Sequence, residues 1–163
     1  MKLVDILEES LLEYTSDFRL PWLSRRQCGG GKGRPKTRMK VTTSLSRTLF
    51  FIDLHPTGQQ PLVTFLFIHG AGGSHRTWRR QRVLSNHSRL IFLDLPGHGN
   101  SEGAGEATIS KYTDYVEDFI RWRRLEKTVI CGHSMGGAIA LELALREPGL
   151  LEGLALVDTG AKL

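Results

Sequence analysis

Residues 129–138 read VICGHSMGGA and hold the most informative pattern in the chain. An apolar run from Val129 to Cys131 precedes a glycine-rich turn, and an Ala/Leu-rich segment follows it. This order predicts a strand, a sharp turn and a helix, with Ser134 at the apex of the turn. Gly132 and Gly136 stand where a side chain would collide across such a turn.

A serine at this apex is a candidate nucleophile. The strained backbone lifts the hydroxyl clear of the sheet. The helix that begins at Met135 points N–H groups and its positive dipole end toward the place where an oxyanion would develop. One alternative stays open: Ser134 could cap the helix, with the glycines serving close packing.

The rest of the chain alternates between strand and helix patterns. The run at 90–93 is continuously apolar and the run at 62–68 is apolar except for Thr64, which is typical of strands that are buried on both faces. We predict one or two strands at 41–51, further strands at 62–68, 90–93, 128–131 and 154–157, and helices at 75–85, 107–124 and 135–146. The alternation predicts an α/β fold with an open, doubly wound, mostly parallel sheet.

Composition divides the chain near residue 39. Residues 1–38 contain a helical apolar pattern at 3–14 and the start of a basic, Gly-rich linker at 25–40, whereas residues 39–163 form the predicted domain. The net charge of +5 comes mainly from this linker. We therefore expect no nucleic-acid partner, with a basic arm that touches RNA or an anionic membrane as the alternative.

The sequence lacks the patterns that mark several other classes of protein. No apolar run approaches the roughly 20 residues of a membrane span, and the acidic first residues do not resemble a secretory signal. The two cysteines, Cys28 and Cys131, form neither a disulfide framework nor a metal motif, which suits the cytoplasm. Dinucleotide, phosphate-loop and zinc signatures are missing from the sequence, so no cofactor or metal is expected.

Three motifs together resemble the α/β-hydrolase fold family, in its serine hydrolase branch. They are FIHGAGG at 67–73, DLPGHGNS at 94–101 and GHSMGG at 132–137. The resemblance implies that Ser134 is the nucleophile and that the backbone N–H groups of Ala71 and Met135 form the oxyanion hole. His69, Gly70, Gly132 and Gly136 would support these loops. Esters, thioesters, lactones or amides are the implied small-molecule substrates.

Other conspicuous side chains have packing roles as their first interpretation. The resemblance assigns His69 to the support of the oxyanion loop, and His98 and His133 lie where the family does not place its base. Trp78 is expected in the core, with the lining of an acyl pocket as the alternative.

The expected catalytic partners are missing from the sequence. In this fold the acid and the histidine follow the serine, but residues 135–163 contain no histidine. Asp158 is a doubtful candidate for the acid, and we find no catalytic histidine. We therefore expect a hydrolase sheet truncated after its sixth strand and inactive by itself. One alternative is a non-catalytic half-domain that associates with itself or a partner through its open sheet edge. Another is a complete small hydrolase whose histidine is His75, His98 or that of a second subunit.

Overall fold

The computed structural model describes residues 37–56, 61 and 63–160. The predicted helix at 3–14 and most of the linker at 25–40 lie outside the described residues. The elements are β1 (Thr37–Thr42), β2 (Thr48–Leu54), β3 (Thr64–Ile68), a 3₁₀ segment (His75–Asn86), β4 (Arg89–Leu93), α1 (Ile109–Trp122), β5 (Thr128–His133), α2 (Met135–Arg146) and β6 (Gly153–Val157).

The strands form one six-stranded sheet in the order β1-β2-β4-β3-β5-β6. β1 and β2 form an antiparallel hairpin, and β2 pairs antiparallel with β4. The pairs β3–β4, β3–β5 and β5–β6 are parallel. The predicted α/β class with a mostly parallel sheet is confirmed.

Helices cover both faces of the sheet. On one face α1 and α2 pack over an apolar cluster, where the rings of Phe51 and Phe119 meet edge-on at 5.0 Å. On the other face Phe67 stacks on Phe92 at 4.9 Å and lies 5.1 Å from Trp78 of the 3₁₀ segment. Trp78 is 6% exposed and belongs to this core cluster, as expected. Burial of each such ring contributes about 1.5–3 kcal/mol.

The first predicted helix differs from the expectation. Residues 75–86 form a 3₁₀ segment, with a kink at Trp78 where φ is −95° and ψ is 21°. Only His75, Trp78 and Ser85 of this segment are buried. The segment therefore has no continuous apolar stripe of α-helical spacing toward the sheet. The spacing of three residues between His75 and Trp78 matches the three residues per turn of a 3₁₀ helix.

The strand region predicted at 41–51 is two strands. The turn between them is closed by a hydrogen bond from the Thr43 N–H to the Arg47 carbonyl oxygen at 2.9 Å. Ser46 in this turn has a left-handed φ of 58°. In the part of the chain that the structure describes, no helix is long and apolar enough to cross a bilayer.

Candidate active site

Loops rich in glycine leave the sheet together at one edge. Ile68 at the end of β3 lies opposite Leu93 of β4 and Gly132 of β5, so these three parallel strands end side by side. A Cβ atom on Gly70 would lie 3.1 Å from the Cβ atom of Ser134. The loop after β3 and the turn after β5 are therefore in direct contact.

Ser134 occupies a strained turn between β5 and α2. Its φ of 51° and ψ of −118° lie in a region that costs a residue with a side chain about 1–3 kcal/mol. Its N–H donates to the Val157 carbonyl oxygen at 2.9 Å, which fixes the turn to the end of β6. The side chain is exposed and makes no capping hydrogen bond. Ser134 is thus the N-cap residue of α2 by position, but its side chain does not cap the helix, so that part of the alternative interpretation is wrong.

The glycines around the serine permit two backbones to meet. A Cβ atom on Gly132 would collide with the carbonyl oxygen of Gly136 across the turn. A Cβ atom on Gly136 would collide with the carbonyl oxygen of Ile68 at the end of β3. The turn can pack against both elements only because these positions have no side chain.

Two backbone N–H groups remain available beside Ser134. Met135 is the first residue of α2, and the first N–H groups of a helix have no partner inside it. Ala71 is exposed in the loop that Gly70 begins. A hydrogen bond from Gly73 N–H to the Gly70 carbonyl oxygen at 3.0 Å closes this loop. Within the described ranges, neither Met135 nor Ala71 has an acceptor for its N–H.

His69 is a fully buried scaffold residue. The Leu95 N–H donates to its Nε2 at 3.1 Å, and its Nδ1 lies 2.8 Å from the Gly70 carbonyl oxygen. Because the amide must donate and the carbonyl must accept, these two contacts assign the ring the neutral form with its proton on Nδ1. Burial also lowers the pKa of His69 below its ordinary value. His69 thus joins the loops after β3 and β4.

The other histidines near this edge are not hydrogen-bonded to the serine hydroxyl in the described residues. His98 Nδ1 contacts the Pro96 carbonyl oxygen at 2.9 Å, and its ring packs 5.1 Å from that of His69. His133 Nε2 lies 3.6 Å from Asp158 Oδ2, which is too long for a hydrogen bond. The Asp158 side chain is 70% exposed. Among the residues described, no histidine is hydrogen-bonded to Ser134.

Sequence reasoning missed one buried pair at the same edge. Asp94, the residue after β4, has no exposed surface and accepts a hydrogen bond from the His75 N–H at 2.5 Å. His75 Nδ1 lies 2.9 Å from Asp94 Oδ2, and the Asn100 N–H donates to the same oxygen at 2.9 Å. Asp94 therefore ties the start of the 3₁₀ segment to the loop after β4. The available signal was an acid that directly follows a buried apolar strand.

Comparison with known proteins agrees with this geometry. The sequence model of the alpha/beta hydrolase family matches residues 65–163, more than half of the chain. The chain belongs to the alpha/beta hydrolase family. Groups of three or more His, Cys, Asp or Glu side chains that could hold a metal ion are not found in the described part of this family member.

Individual relatives of this hydrolase-family chain include esterases and hydrolases. It is 39% identical over 99 residues to the pimeloyl-[acyl-carrier protein] methyl ester esterase of Nitrosospira multiformis, covering 58% of this chain and 37% of the relative. It is 33% identical over 101 residues to the (E)-2-((N-methylformamido)methylene)succinate hydrolase of Acinetobacter baylyi, covering 61% and 37%.

A solved structure extends the likeness to three dimensions. A hydrolase from Pseudomonas aeruginosa superposes with a TM-score of 0.68 at 25% identity, covering 77% of this chain and 47% of that chain. This chain spans less than half the length of the first curated relatives that it matches.

Proposed function

We propose that Ser134 is the nucleophile of a serine hydrolase that acts on carboxylic esters and related acyl compounds. The observation that carries this proposal is the left-handed φ of 51° at an exposed serine, between a buried strand and a helix. Strain of this kind persists only where the surrounding structure holds it, and it clusters at functional sites.

The chemistry follows from the groups around the hydroxyl. Ser134 Oγ attacks the acyl carbon, and the carbonyl oxygen becomes an oxyanion that accepts hydrogen bonds from the N–H groups of Met135 and Ala71. The intermediate then expels an alkoxide, which takes up the proton that Ser134 Oγ has lost and leaves as the alcohol, and the acyl group stays on Ser134. Water attacks this acyl-enzyme and releases the carboxylic acid.

The choice of an ester substrate draws on the relatives. The Nitrosospira protein is by name a methyl ester esterase, and a serine at the turn suits attack on an acyl carbon. Ser134 Oγ must lose a proton and the alkoxide must gain one. The group that accepts and then returns this proton is therefore as important as the nucleophile.

The proposal includes no histidine base for Ser134, because none of the described histidines is hydrogen-bonded to it. His69 is neutral between two backbone partners, and no hydrogen bond joins the rings of His75, His98 or His133 to Ser134 in the described residues. Without a histidine, a serine hydrolase loses on the order of a millionfold in turnover. We therefore propose that the 163-residue chain retains the nucleophile and the oxyanion hole but turns esters over at a rate close to background.

Covalent labelling tests this proposal. A fluorophosphonate probe is expected to react slowly with the chain and to modify Ser134, as mapped by peptide mass spectrometry. Ser134→Ala should abolish that label, whereas Ser110→Ala, which removes an exposed serine in the first turn of α1, should leave it unchanged. A label spread over many exposed serines would contradict the proposal.

The outer edge of β6 favours a second candidate function, association with another chain. Among the described residues β6 is the last strand in the sheet order, and Ala155, Leu156 and Val157 are only half-buried. An open edge of this kind invites pairing with a second strand. We expect a dimer in sedimentation velocity that dissociates in Ala155→Lys, while Leu145→Lys, on an exposed position of α2, keeps it. A monomer at all concentrations would rule this candidate out.

A further inference from the structure

A cavity of about 510 Å³ is lined largely by arginines. It lies between β1 and the 3₁₀ segment, and we name its basic lining the arginine cradle. The cradle consists of Arg38, Arg76, Arg79, Arg80 and Arg82, and His75 and Thr77 complete the lining. Arg38 is more than thirty residues from the others in sequence, so the fold itself assembles this group.

The cradle arginines lack the carboxylate partners that most of the other described arginines have. Five other arginines form ion pairs: Arg47 with Glu106, Arg89 and Arg123 with Asp53, Arg121 with Glu117 and Glu147, and Arg146 with Asp114 and Glu142. In the ranges that the structure describes, no ion pair reaches a cradle residue. Arg82 instead lies over the Phe92 ring, 6.0 Å from its centre. Positive charge from the five arginines is therefore concentrated in a concave site, and the buried Asp94 carboxylate contacts His75 rather than an arginine.

His75 adds a second, independent feature. Its side chain is buried, with 7% of the residue exposed, yet it lines the same cavity. Nδ1 is held by the fully buried Asp94 at 2.9 Å, which fixes the orientation of the ring. No hydrogen bond to Nε2 is found in the described residues. Because Nδ1 donates to the Asp94 carboxylate, Nε2 of the neutral ring is an oriented acceptor that can take a hydrogen bond from a hydroxyl of a bound molecule.

We propose that the arginine cradle binds a small ligand that carries two or more phosphate groups. Guanidinium groups bind phosphate oxygens through paired hydrogen bonds. Several of them in one cavity match a ligand with several negative charges in a small volume. The cavity lies within the range of roughly 300–1,000 Å³ that small-molecule sites occupy, whereas nucleic acid is bound by extended grooves or surfaces.

The Arg38 end of this site is distant from the proposed nucleophile, whereas Thr77 lies beside the Gly70–Gly73 loop, with its Oγ1 3.2 Å from where a Cβ atom on Gly73 would stand. Arg38 is on β1 and Ser134 follows β5, which are four places apart in the sheet order. At about 4.8 Å between neighbouring strands, this separation is about 19 Å. The two sites are connected through the 3₁₀ segment, which begins just after the Gly70–Gly73 loop. Tripolyphosphate binding and the labelling of Ser134 are different measurements, so the loss of one can be told from the loss of the other.

Isothermal titration calorimetry with inorganic tripolyphosphate tests the proposal on the full chain at low salt. We expect saturable binding of one tripolyphosphate per chain, with orthophosphate and citrate binding at least tenfold more weakly. Arg76→Gln and Arg80→Gln should each reduce the affinity by about tenfold, as expected for a lost charge-assisted pair. Arg124→Gln is the matched control, because Arg124 is exposed and has no ion pair in the described residues. It should change the affinity by less than about twofold.

A variant of His75 distinguishes a direct contact of its Nε2 with the ligand from a role of the residue in holding the fold. His75→Asn places an amide nitrogen near the position of Nδ1, where it can still donate to Asp94, and it removes Nε2. We expect an affinity several-fold weaker than that of the wild type at an unchanged melting temperature. Three results would overturn the proposal. The first is the absence of saturable binding at about 1 mM tripolyphosphate. The second is an equal loss of tripolyphosphate affinity in Arg80→Gln and Arg124→Gln. The third is tighter binding of a single-stranded RNA than of tripolyphosphate.

Discussion

The backbone N–H of Ser134 donates to the carbonyl oxygen of Val157 at 2.9 Å. This hydrogen bond joins the apex of the turn after β5 to the last residue of β6. The left-handed φ of Ser134 is therefore held from outside the turn as well as by the glycines within it. β6 has a structural role at the site, although it carries no residue with an assigned chemical role.

Gly70→Ala is expected to impair the reactivity of Ser134. The new Cβ atom would lie 3.1 Å from the Cβ atom of Ser134 and 3.0 Å from His133 Nδ1. These contacts are tight enough to displace the loop that carries the Ala71 N–H. Fluorophosphonate labelling of Ser134 should slow by about tenfold or more, because loss of one oxyanion donor costs about 10²–10³ in rate.

The control for this change is Gly149→Ala, since a Cβ atom there has no neighbour within 4 Å. Its labelling rate should equal that of the wild type. An unchanged rate in Gly70→Ala would remove the oxyanion role from this loop.

Gly136→Ala is expected to destabilise the fold. Its Cβ atom would meet the backbone oxygens of Ile68 and His69, which cannot rotate away as a side chain can. We expect the free energy of unfolding in urea to fall by about 3 kcal/mol or more, at the high end for a single substitution. Gly153→Ala, whose nearest contact is an ordinary 3.8 Å, should cost less than about 1 kcal/mol. Equal losses in the two variants would contradict the close packing inferred for the turn.

Asp53 should make stability depend on pH in the acid range. Burial favours its neutral form, but hydrogen bonds and charge from Arg89, with His55 and Arg123, outweigh burial and hold the pKa of Asp53 below its ordinary value. A carboxyl with a depressed folded-state pKa stabilises the fold above its unfolded pKa, and this contribution is lost as the pH falls through the folded pKa. Asp53→Asn should therefore lower the stability near pH 7 by about 3 kcal/mol.

The difference between Asp53→Asn and the wild type should shrink as the pH falls below about 4. Urea denaturation at a series of pH values measures this. If the difference in the free energy of unfolding stayed constant down to pH 2, the charge of the Asp53 carboxylate beside its two arginines would not be its source.

Cys131 should be inert in the folded chain. It is a free cysteine on β5, and burial raises the pKa of its thiol to about 12. Because the thiolate is the reactive form, iodoacetamide at neutral pH should modify Cys131 only after unfolding. Peptide mapping with and without urea distinguishes this site from Cys28. Rapid modification of Cys131 in the native protein would indicate that β5 opens locally.

The sheet and the serine turn could be predicted because their signals are local. Apolar runs such as Leu90 to Leu93 correspond to buried strands, and Ser134 lies at the predicted junction of β5 and α2. The resemblance to the alpha/beta hydrolase family is confirmed by the family match over residues 65–163. The roles of Ala71 and Met135 in an oxyanion hole stay predictions.

Other features depend on contacts between distant residues and could not be predicted. The pairing of His75 with Asp94 needs the register of two loops, and the arginine cradle joins β1 to the 3₁₀ segment. In the 3₁₀ segment His75–Asn86 the sheet buries only a few side chains. The polar sequence of that segment does not reveal this geometry.

Acyl transfer to Ser134→Cys tests the central claim most directly, because a thiolate can attack without the histidine that the described residues do not supply. The variant is mixed with p-nitrophenyl butyrate, and the butyryl adduct is timed and mapped by mass spectrometry. Ser110→Cys is the control, since it also places an exposed thiol in the first turn of a helix, away from the Gly70 loop. We predict acylation of residue 134 on the order of a hundredfold faster than that of residue 110, as one or two preorganised oxyanion donors provide. Equal rates at the two positions would contradict the assignment of Ser134 as a nucleophile beside an oxyanion hole.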